Sequence, residues 1–159
     1  MKANVSIQPV TAADHATWLP LWQGYQSFYD VKMPEAVSTQ TWRRFLDSDE
    51  PMNAALARMD GQAIGLVQFI FHRSCWTEGD YCYLQDLFVA QSARGSGAGR
   101  RLIEHVYAQA EHRDCSRVYW LTHESNQKAI LLYDRVADRS GFIQYRRSPP
   151  FTNRDGYEQ

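Results

Sequence analysis

The sequence predicts an α+β fold, in which a mixed, mostly antiparallel sheet is flanked by helices. Two strand patterns, Asn53–Arg58 and Gln62–Phe71, flank Asp60-Gly61, a dipeptide typical of tight hairpins. A third strand pattern, Tyr81–Val89, is followed by a glycine-rich turn and a helix, which indicates a crossover. Hairpins mixed with crossover helices favour α+β over a regular βαβ repeat. The length of 159 residues predicts a single domain over residues 1–159.

The N-terminal half begins with a predicted strand at Val5–Val10. Asp14 is the predicted N-cap of a helix that ends near Phe28, because apolar residues recur there every three or four positions. A loop at Tyr29–Ser38 and a second helix at Thr39–Asp47 precede the hairpin. After the glycine-rich turn, the predicted elements are a helix at Arg100–Glu111, a strand at Arg117–Leu121, a helix at Asn126–Val136 and a last strand at Phe142–Arg146.

The charges are unevenly distributed, although the net charge is only −1. Residues 1–90 carry six basic and ten acidic side chains, whereas residues 91–147 carry ten and six. This division suits a protein that holds an anionic cosubstrate with its basic part, at about residues 84–147, and meets a cationic substrate with its acidic part. Ordinary solvated faces would produce the same pattern. The small net charge argues against nucleic acid as a partner.

The sequence contains no run of about 18 apolar residues, so no membrane span is predicted. Residues 1–14 lack the apolar core of a signal peptide, and a cytoplasmic location is therefore expected. The cysteines Cys75, Cys82 and Cys115 do not suggest a disulfide framework. His72, Cys75 and Cys82 match no zinc spacing, so no metal site is predicted.

The stretch Arg94-Gly95-Ser96-Gly97-Ala98-Gly99-Arg100, called the glycine loop below, lies between a strand and a helix. Glycines allow the backbone to approach an anion closely, and a helix N-terminus offers unpaired N–H groups. The glycine loop therefore predicts a phosphate-binding site. It lacks the Gly-Lys-Ser/Thr of Walker loops and has the spacing G-x-G-x-G instead of the dinucleotide spacing G-x-G-x-x-G.

The remaining pattern, Arg94-x-x-Gly97-x-Gly99, resembles the acetyl-CoA pyrophosphate loop of the GNAT superfamily of N-acetyltransferases. The preceding segment LQDLFV resembles the fourth strand of that family, and Asn126-x-x-Ala129-x-x-x-Tyr133 resembles its later helix motif. The resemblance covers nearly the whole chain. Within the superfamily, the motifs are most similar to those of polyamine and diamine acetyltransferases and the yeast histone/polyamine acetyltransferase group.

The resemblance implies acetyl-CoA as cosubstrate and a set of residues that bind it. The pantetheine arm would pair with the backbone of Leu87, Phe88 and Val89, where a bulged fourth strand separates from the fifth. The N–H groups of the glycine loop would bind the pyrophosphate. Asn126 would contact the cofactor and cap its helix. Tyr133 would be the general acid that protonates the departing thiolate.

The acceptor amine must lose a proton before it attacks, so a general base is expected. Where the similar polyamine enzymes have Glu-Asp, this chain has Gln85-Asp86, and glutamine cannot accept the proton. Asp86 is the predicted base or amine anchor, with Gln85 beside the substrate and with Glu124 and His123 as further candidates for the base. Tyr29 and Asp30, after the first helix, are predicted to line the substrate pocket.

These observations predict an N-acetyltransferase that moves the acetyl group directly to a primary amine in a ternary complex. A small cationic amine, such as a polyamine or an amino acid, is the expected acceptor. The alternatives are acetylation of a protein lysine or N-terminus, a non-catalytic acyl-CoA-binding module, and a nucleotide-binding protein. Similar proteins are often dimers, so a homodimer is a further possibility.

Overall fold

A computed structural model describes residues 4–151 of the chain. It divides the chain into two compact units, one that extends to Ser125 and one that begins at Asn126. The predicted α+β class is confirmed, because residues 4–151 contain a five-stranded sheet and four α-helices. No helix among the described residues is long and apolar enough to cross a membrane.

The first unit contains all five strands and three of the helices. The strands are β1 (Val5–Pro9), β2 (Met52–Met59), β3 (Gln62–His72), β4 (Tyr81–Val89) and β5 (Arg117–Tyr119). The helices are α1 (His15–Phe28), α2 (Glu35–Leu46) and α3 (Ala98–His112). The strands lie in the order β1-β2-β3-β4-β5, antiparallel except for the parallel pair β4–β5.

The β2–β3 hairpin forms where Asp60-Gly61 predicts it. Asp60 and Gly61 have φ values of 53° and 80°, and two successive positive φ values are the mark of a type I′ turn. This turn fixes the first pairs of the hairpin, Met59 opposite Gln62 and Arg58 opposite Ala63. A bulge between Ala57 and Arg58 then shifts the register by one residue, so that Met52 lies opposite Ile70. The sequence therefore predicts both the strands and the connection between them.

The two faces of the sheet are covered by different helices. On one face, Trp18 of α1 is completely buried and packs in a cluster with Trp42, Leu56 and Leu66. On the other face, α3 buries a stripe of apolar residues: Ala98, Leu102, Ile103, Val106 and Ala110. The candidate active site lies on the aromatic-rich α1 face of the sheet.

Three boundaries in this unit differ from the prediction. The second helix begins at Glu35, not Thr39, because Pro34 occupies the N-cap and an acidic Glu35 suits the positive helix end. Asp14 lies at the N-cap of α1 but does not cap it; its carboxylate accepts from the Thr11 N–H at 2.8 Å instead. The strand β5 ends at Tyr119 rather than at Leu121.

The described part of the second unit, residues 126–151, contains one helix, α4 (Gln127–Val136), as predicted to within one residue. Asn126 is its N-cap, yet its side chain makes no cap hydrogen bond, because ψ is 62° rather than extended. The predicted strand at Phe142–Arg146 is wrong: the segment is irregular. Phe142 and Tyr145 are 90% and 89% exposed.

Candidate active site

The strand β4 contains a bulge at Gln85. Asp86 lies opposite Gln68 of β3, but the next pair toward the N-terminus of β4 is Leu84 opposite Phe69. One residue of β4, Gln85, is therefore left without a partner in β3. A bulge of this kind bends a strand and interrupts the alternation of its side chains.

The interruption moves Asp86 to the α1 face of the sheet. Leu84 lies opposite Phe69, whose ring contacts His105 of α3, so Leu84 belongs to the α3 face. Without the bulge, Asp86 would follow Leu84 on that same face. With it, Asp86 lies on the opposite face, beside Gln68 and below α1.

Asp86 is held there by a chain of buried hydrogen bonds. The indole Nε1 of Trp18 donates to Gln68 Oε1 at 2.8 Å, and Gln68 Nε2 donates to Asp86 Oδ2 at 2.8 Å. The hydroxyl of Tyr25, on α1, also donates to the Asp86 carboxylate. Both Trp18 and Gln68 are at least 96% buried, so the carboxylate is fixed by rigid partners.

Burial and these donors act in opposite directions on the acidity of Asp86. Burial raises the pKa of Asp86 above its usual range, because the charged form loses water. The hydrogen bonds from Gln68 and Tyr25 oppose this by stabilising the carboxylate. The pKa of Tyr25 is raised as well, first by burial and then by the negative charge of Asp86. A buried carboxylate with a raised pKa is a better proton acceptor near neutral pH than an exposed one.

The second half of β4 has one edge without a strand. β5 pairs only with Tyr81–Tyr83, and no other strand among residues 4–151 pairs with Leu84–Val89 on that side. The carbonyl of Val89 points away from β3, since it accepts a 3.5 Å hydrogen bond from Arg94 Nε. Such an edge offers N–H and C=O groups to an amide-containing ligand.

The glycine loop leads from this edge into the first turn of α3. Gly95 and Gly97 have φ values of 83° and 85°, a backbone conformation that favours glycine. Gly97 is the N-cap of α3, which begins at Ala98, two residues before the predicted start. The first-turn N–H groups of a helix have no intrahelical acceptor, and α3 carries no acid there. These features suit an anion, and pyrophosphate binding by the glycine loop stays a prediction.

The residues predicted to bind the acceptor lie in different places around Asp86. Tyr29 lines a cavity at the end of α1, and its ring contacts that of Tyr25 at 5.1 Å. Asp30 is exposed, with a φ of 53°, and is not among the residues that line this cavity. Gln85 is the exposed residue of the bulge.

His123 and Glu124, the other candidates for the base, are exposed after β5. His123 Nδ1 lies 2.6 Å from Ser125 Oγ. In the second unit, Tyr133 lies in α4, where it is partly buried and its carbonyl accepts from the Ala137 N–H at 2.9 Å. Its role as the acid remains a prediction.

Two functional candidates, Gln68 and Gln26, were not predicted from the sequence. Gln68 is the one polar residue in the strand segment IGLVQFIF, which is a detectable signal. Gln26 lies one turn after Trp22 on the apolar side of α1 and is buried. A buried amide on an otherwise apolar face needs hydrogen-bond partners. A single glutamine within an apolar pattern is therefore a sequence signal for a functional candidate.

Comparison with known proteins identifies the class of this fold and site. A family model described as the acetyltransferase (GNAT) family matches residues 18–137. The chain therefore belongs to the GNAT family of acetyltransferases, as the sequence motifs predicted. It is an N-acetyltransferase, and acetyl-CoA is the cosubstrate.

Among its relatives is the yeast D-amino-acid N-acetyltransferase HPA3 of Saccharomyces cerevisiae, 36% identical over 147 residues and 91% of each chain. The thialysine N-epsilon-acetyltransferase of Mus musculus is 32% identical over 87 residues, which are 52% of this chain and 49% of that protein. The solved structure of the aminoglycoside acetyltransferase AAC(6')-Iy with a bisubstrate analogue has a TM-score of 0.79 at 17% identity. It covers 92% of this chain and 99% of that one. This last similarity concerns the fold.

Proposed function

We propose that the protein transfers the acetyl group of acetyl-CoA to the amino group of a small molecule, with Asp86 as the general base. The observation that carries this proposal is the bulge at Gln85. It brings a buried carboxylate to the α1 face of β4, next to the strand edge that β5 leaves unpaired. A proton acceptor and a thioester-binding edge on one strand are what direct acetyl transfer requires.

The free edge of β4 is the proposed site for the pantetheine arm, through the backbone of Leu87 and Val89; of the three residues predicted from the sequence, Phe88 directs its backbone toward β3 instead. Strand residues direct their backbone groups alternately to the two edges, so Leu87 shares the outer edge with Val89. The pyrophosphate would bind the glycine loop, where the helix end and Arg100 supply positive charge. Asn126 is proposed as a further contact to acetyl-CoA.

The chemistry then proceeds without a covalent enzyme intermediate. Asp86 accepts a proton from the ammonium group, and the neutral nitrogen attacks the thioester carbonyl carbon. The C–N bond forms, the C–S bond breaks, and the thiolate takes a proton from Tyr133. A thiol has a pKa of about 8.5, so the thiolate is a fair leaving group and the acid assists rather than enables its departure.

The acceptor we propose is an amino acid. The support is the similarity to yeast HPA3, whose name specifies D-amino acids and which is 36% identical over 91% of this chain. Tyr29 and the acidic residues near the end of α1, such as Asp30, would face the acceptor. A polyamine remains the second candidate because the motifs of β4 and α3 resemble those of polyamine acetyltransferases.

A screen for thiol release from acetyl-CoA tests the proposal directly. Both enantiomers of several amino acids, spermidine, an aminoglycoside and a basic peptide would be compared at one concentration. We expect release with amino acids and little with the peptide. Preference for the peptide would instead support acetylation of a protein lysine or N-terminus, and binding of acetyl-CoA without release would contradict the proposed reaction.

A further inference from the structure

A cavity of about 370 Å³ lies at the C-terminal end of α1, under the chain that leads to α2. Its volume is within the range of about 300–1,000 Å³ typical of small-molecule sites. The residues that line it, which define the α1 cavity below, are Trp22, Tyr25, Gln26, Tyr29, Val31 and Met33.

The walls of the α1 cavity are largely aromatic and preorganised. The rings of Trp22 and Tyr25 are stacked at 5.6 Å and 14°, and Tyr29 meets Tyr25 edge-on at 5.1 Å. Trp22 is further fixed because its Nε1 donates to Ser38 Oγ of α2 at 3.1 Å. Rigid aromatic walls of this kind favour a flat or branched apolar group.

No residue that lines the α1 cavity carries a charge, and the one amide among them has an N–H donor without an acceptor. Gln26 Oε1 accepts from the Met33 N–H at 2.9 Å, which fixes the orientation of the amide. Gln26 is 92% buried, and its Nε2 has no hydrogen-bond partner among the described residues. An amide N–H donates to an oxygen and cannot bind an ammonium group. The α1 cavity therefore suits an apolar group that carries an oxygen better than a second cation.

Tyr25 connects the α1 cavity to the proposed base. Its ring forms a cavity wall, and its hydroxyl donates to the Asp86 carboxylate. One side chain, Tyr25, is therefore shared by the proposed base and the wall of the cavity.

We infer that the α1 cavity selects an acceptor with a large apolar or aromatic side chain and an oxygen that Gln26 binds, which describes an apolar α-amino acid rather than a polyamine. This inference rests on the proposed function and specifies its substrate class. The side chain fills the aromatic cavity, and the carboxylate supplies the missing acceptor for Gln26 Nε2.

The first test is a series of acceptors of increasing size: glycine, alanine, leucine and phenylalanine, in both enantiomers, with lysine and spermidine. Each buried methylene contributes about a fourfold gain in kcat/KM. We expect kcat/KM to rise at least tenfold from alanine to leucine and phenylalanine, and lysine and spermidine to stay at or below alanine. A flat series, or a preference for spermidine, would overturn the inference.

Two variants test the walls of the cavity. Val31→Trp places a bulky side chain in the α1 cavity and should lower kcat/KM for phenylalanine at least tenfold more than it lowers kcat/KM for alanine. Val37→Trp is the matched control, because Val37 is similarly exposed (44% against 51% for Val31) but does not line the cavity. Equal effects of the two substitutions on phenylalanine would contradict the assignment.

A third variant tests the amide. Gln26→Glu retains an oxygen that can accept from the Met33 N–H but replaces the Nε2 donor by a second oxygen. The wild type should prefer phenylalanine to phenethylamine, which lacks the carboxylate, and Gln26→Glu should reduce that ratio at least tenfold. An unchanged ratio would remove Gln26 from the site.

Calorimetric titration of phenylalanine into the wild type and into Val31→Trp measures the cavity independently of turnover. If the wild type bound phenylalanine and Val31→Trp bound it at least tenfold more weakly, the inference would be supported even without thiol release. In that case the proposed reaction alone would fail. If the enzyme acetylated alanine but bound phenylalanine no more tightly than alanine, the proposed reaction would be supported and the assignment of the cavity would be contradicted.

Discussion

Replacement of Gln68 by methionine should shift the pH dependence of activity. Gln68 Nε2 donates to Asp86 Oδ2 at 2.8 Å, and Gln68 Oε1 accepts from Trp18 Nε1 at 2.8 Å. Methionine has a similar length and no donor, so Gln68→Met removes the hydrogen bond to the carboxylate while largely filling the space. Gln68 acts through Asp86 and is therefore a positioning residue.

The size of the shift follows from the lost interaction. A hydrogen bond to a charged group stabilises it by about 1.5–3 kcal/mol, and one pH unit corresponds to about 1.4 kcal/mol. The hydrogen bond lowers the pKa of Asp86, so its removal raises that pKa further. A lost interaction of this size moves the acid limb of the activity profile up by about one to two pH units. Because Asp86 works as a carboxylate, activity should be lost at a correspondingly higher pH on the acid side.

The assay is kcat/KM against pH for the wild type, Gln68→Met and the control Trp18→Phe, all with the same acceptor. The acceptor amine has the same pKa in all three measurements, so differences between the pH profiles arise from titrating groups of the enzyme. Trp18→Phe removes the donor to Gln68 but leaves the hydrogen bond to Asp86. We expect it to lower the free energy of unfolding by about 1–3 kcal/mol without moving the acid limb.

An acid limb that stays in place in Gln68→Met would refute the reasoning, because Asp86 would then not be the group that titrates. Equal movement in both variants would mean that general loosening of the α1 face, not the hydrogen bond to Asp86, controls the profile.

Three further predictions concern the acid, the glycine loop and the contact between β3 and β4. Tyr133→Phe should lower kcat about tenfold or more while the acetyl-CoA Kd, measured by calorimetry, stays unchanged; an unchanged kcat would remove Tyr133 from the mechanism. Gly97→Ala forces alanine to a φ of 85°, which costs about 1–2 kcal/mol, and should weaken acetyl-CoA binding. Gly61→Ala, at a φ of 80° in the hairpin turn, should cost similar stability but leave that Kd unaltered. Gly65→Ala would place a Cβ 2.7 Å from the Phe88 carbonyl oxygen and should lower the unfolding free energy by about 1–3 kcal/mol in denaturant titrations.

Local sequence signals predict the elements that local interactions determine. The strand Tyr81–Val89 and the hairpin around Asp60-Gly61 form as predicted, because alternation and turn chemistry act over a few residues. The strand predicted at Phe142–Arg146 has the same alternation, yet it forms no strand in the structure. A strand exists only when a partner is paired with it, and the position of that partner is not written in the segment itself.

The candidate site could be predicted only in part, because its geometry also depends on residues that are distant in the sequence. The identity of Asp86 was readable from its motif, but the face on which it lies depends on the bulge at Gln85 and on the register with β3. Gln68 is 18 residues from Asp86 and Trp18 is 50 residues from Gln68, so their hydrogen bonds depend on the assembled sheet. The α1 cavity depends on the close approach of α1 and the following loop, which a helical pattern does not specify.

The most direct test of the central claim compares the wild type with Asp86→Asn. Thiol release from acetyl-CoA with an amino acid would be measured for both proteins, alongside the calorimetric Kd for acetyl-CoA. A general base contributes about 10²–10⁴-fold to the rate, so Asp86→Asn should lose activity by that factor and bind acetyl-CoA with the wild-type Kd. Release of thiol by Asp86→Asn at a rate within a few fold of the wild type would contradict the assignment of Asp86 as the base.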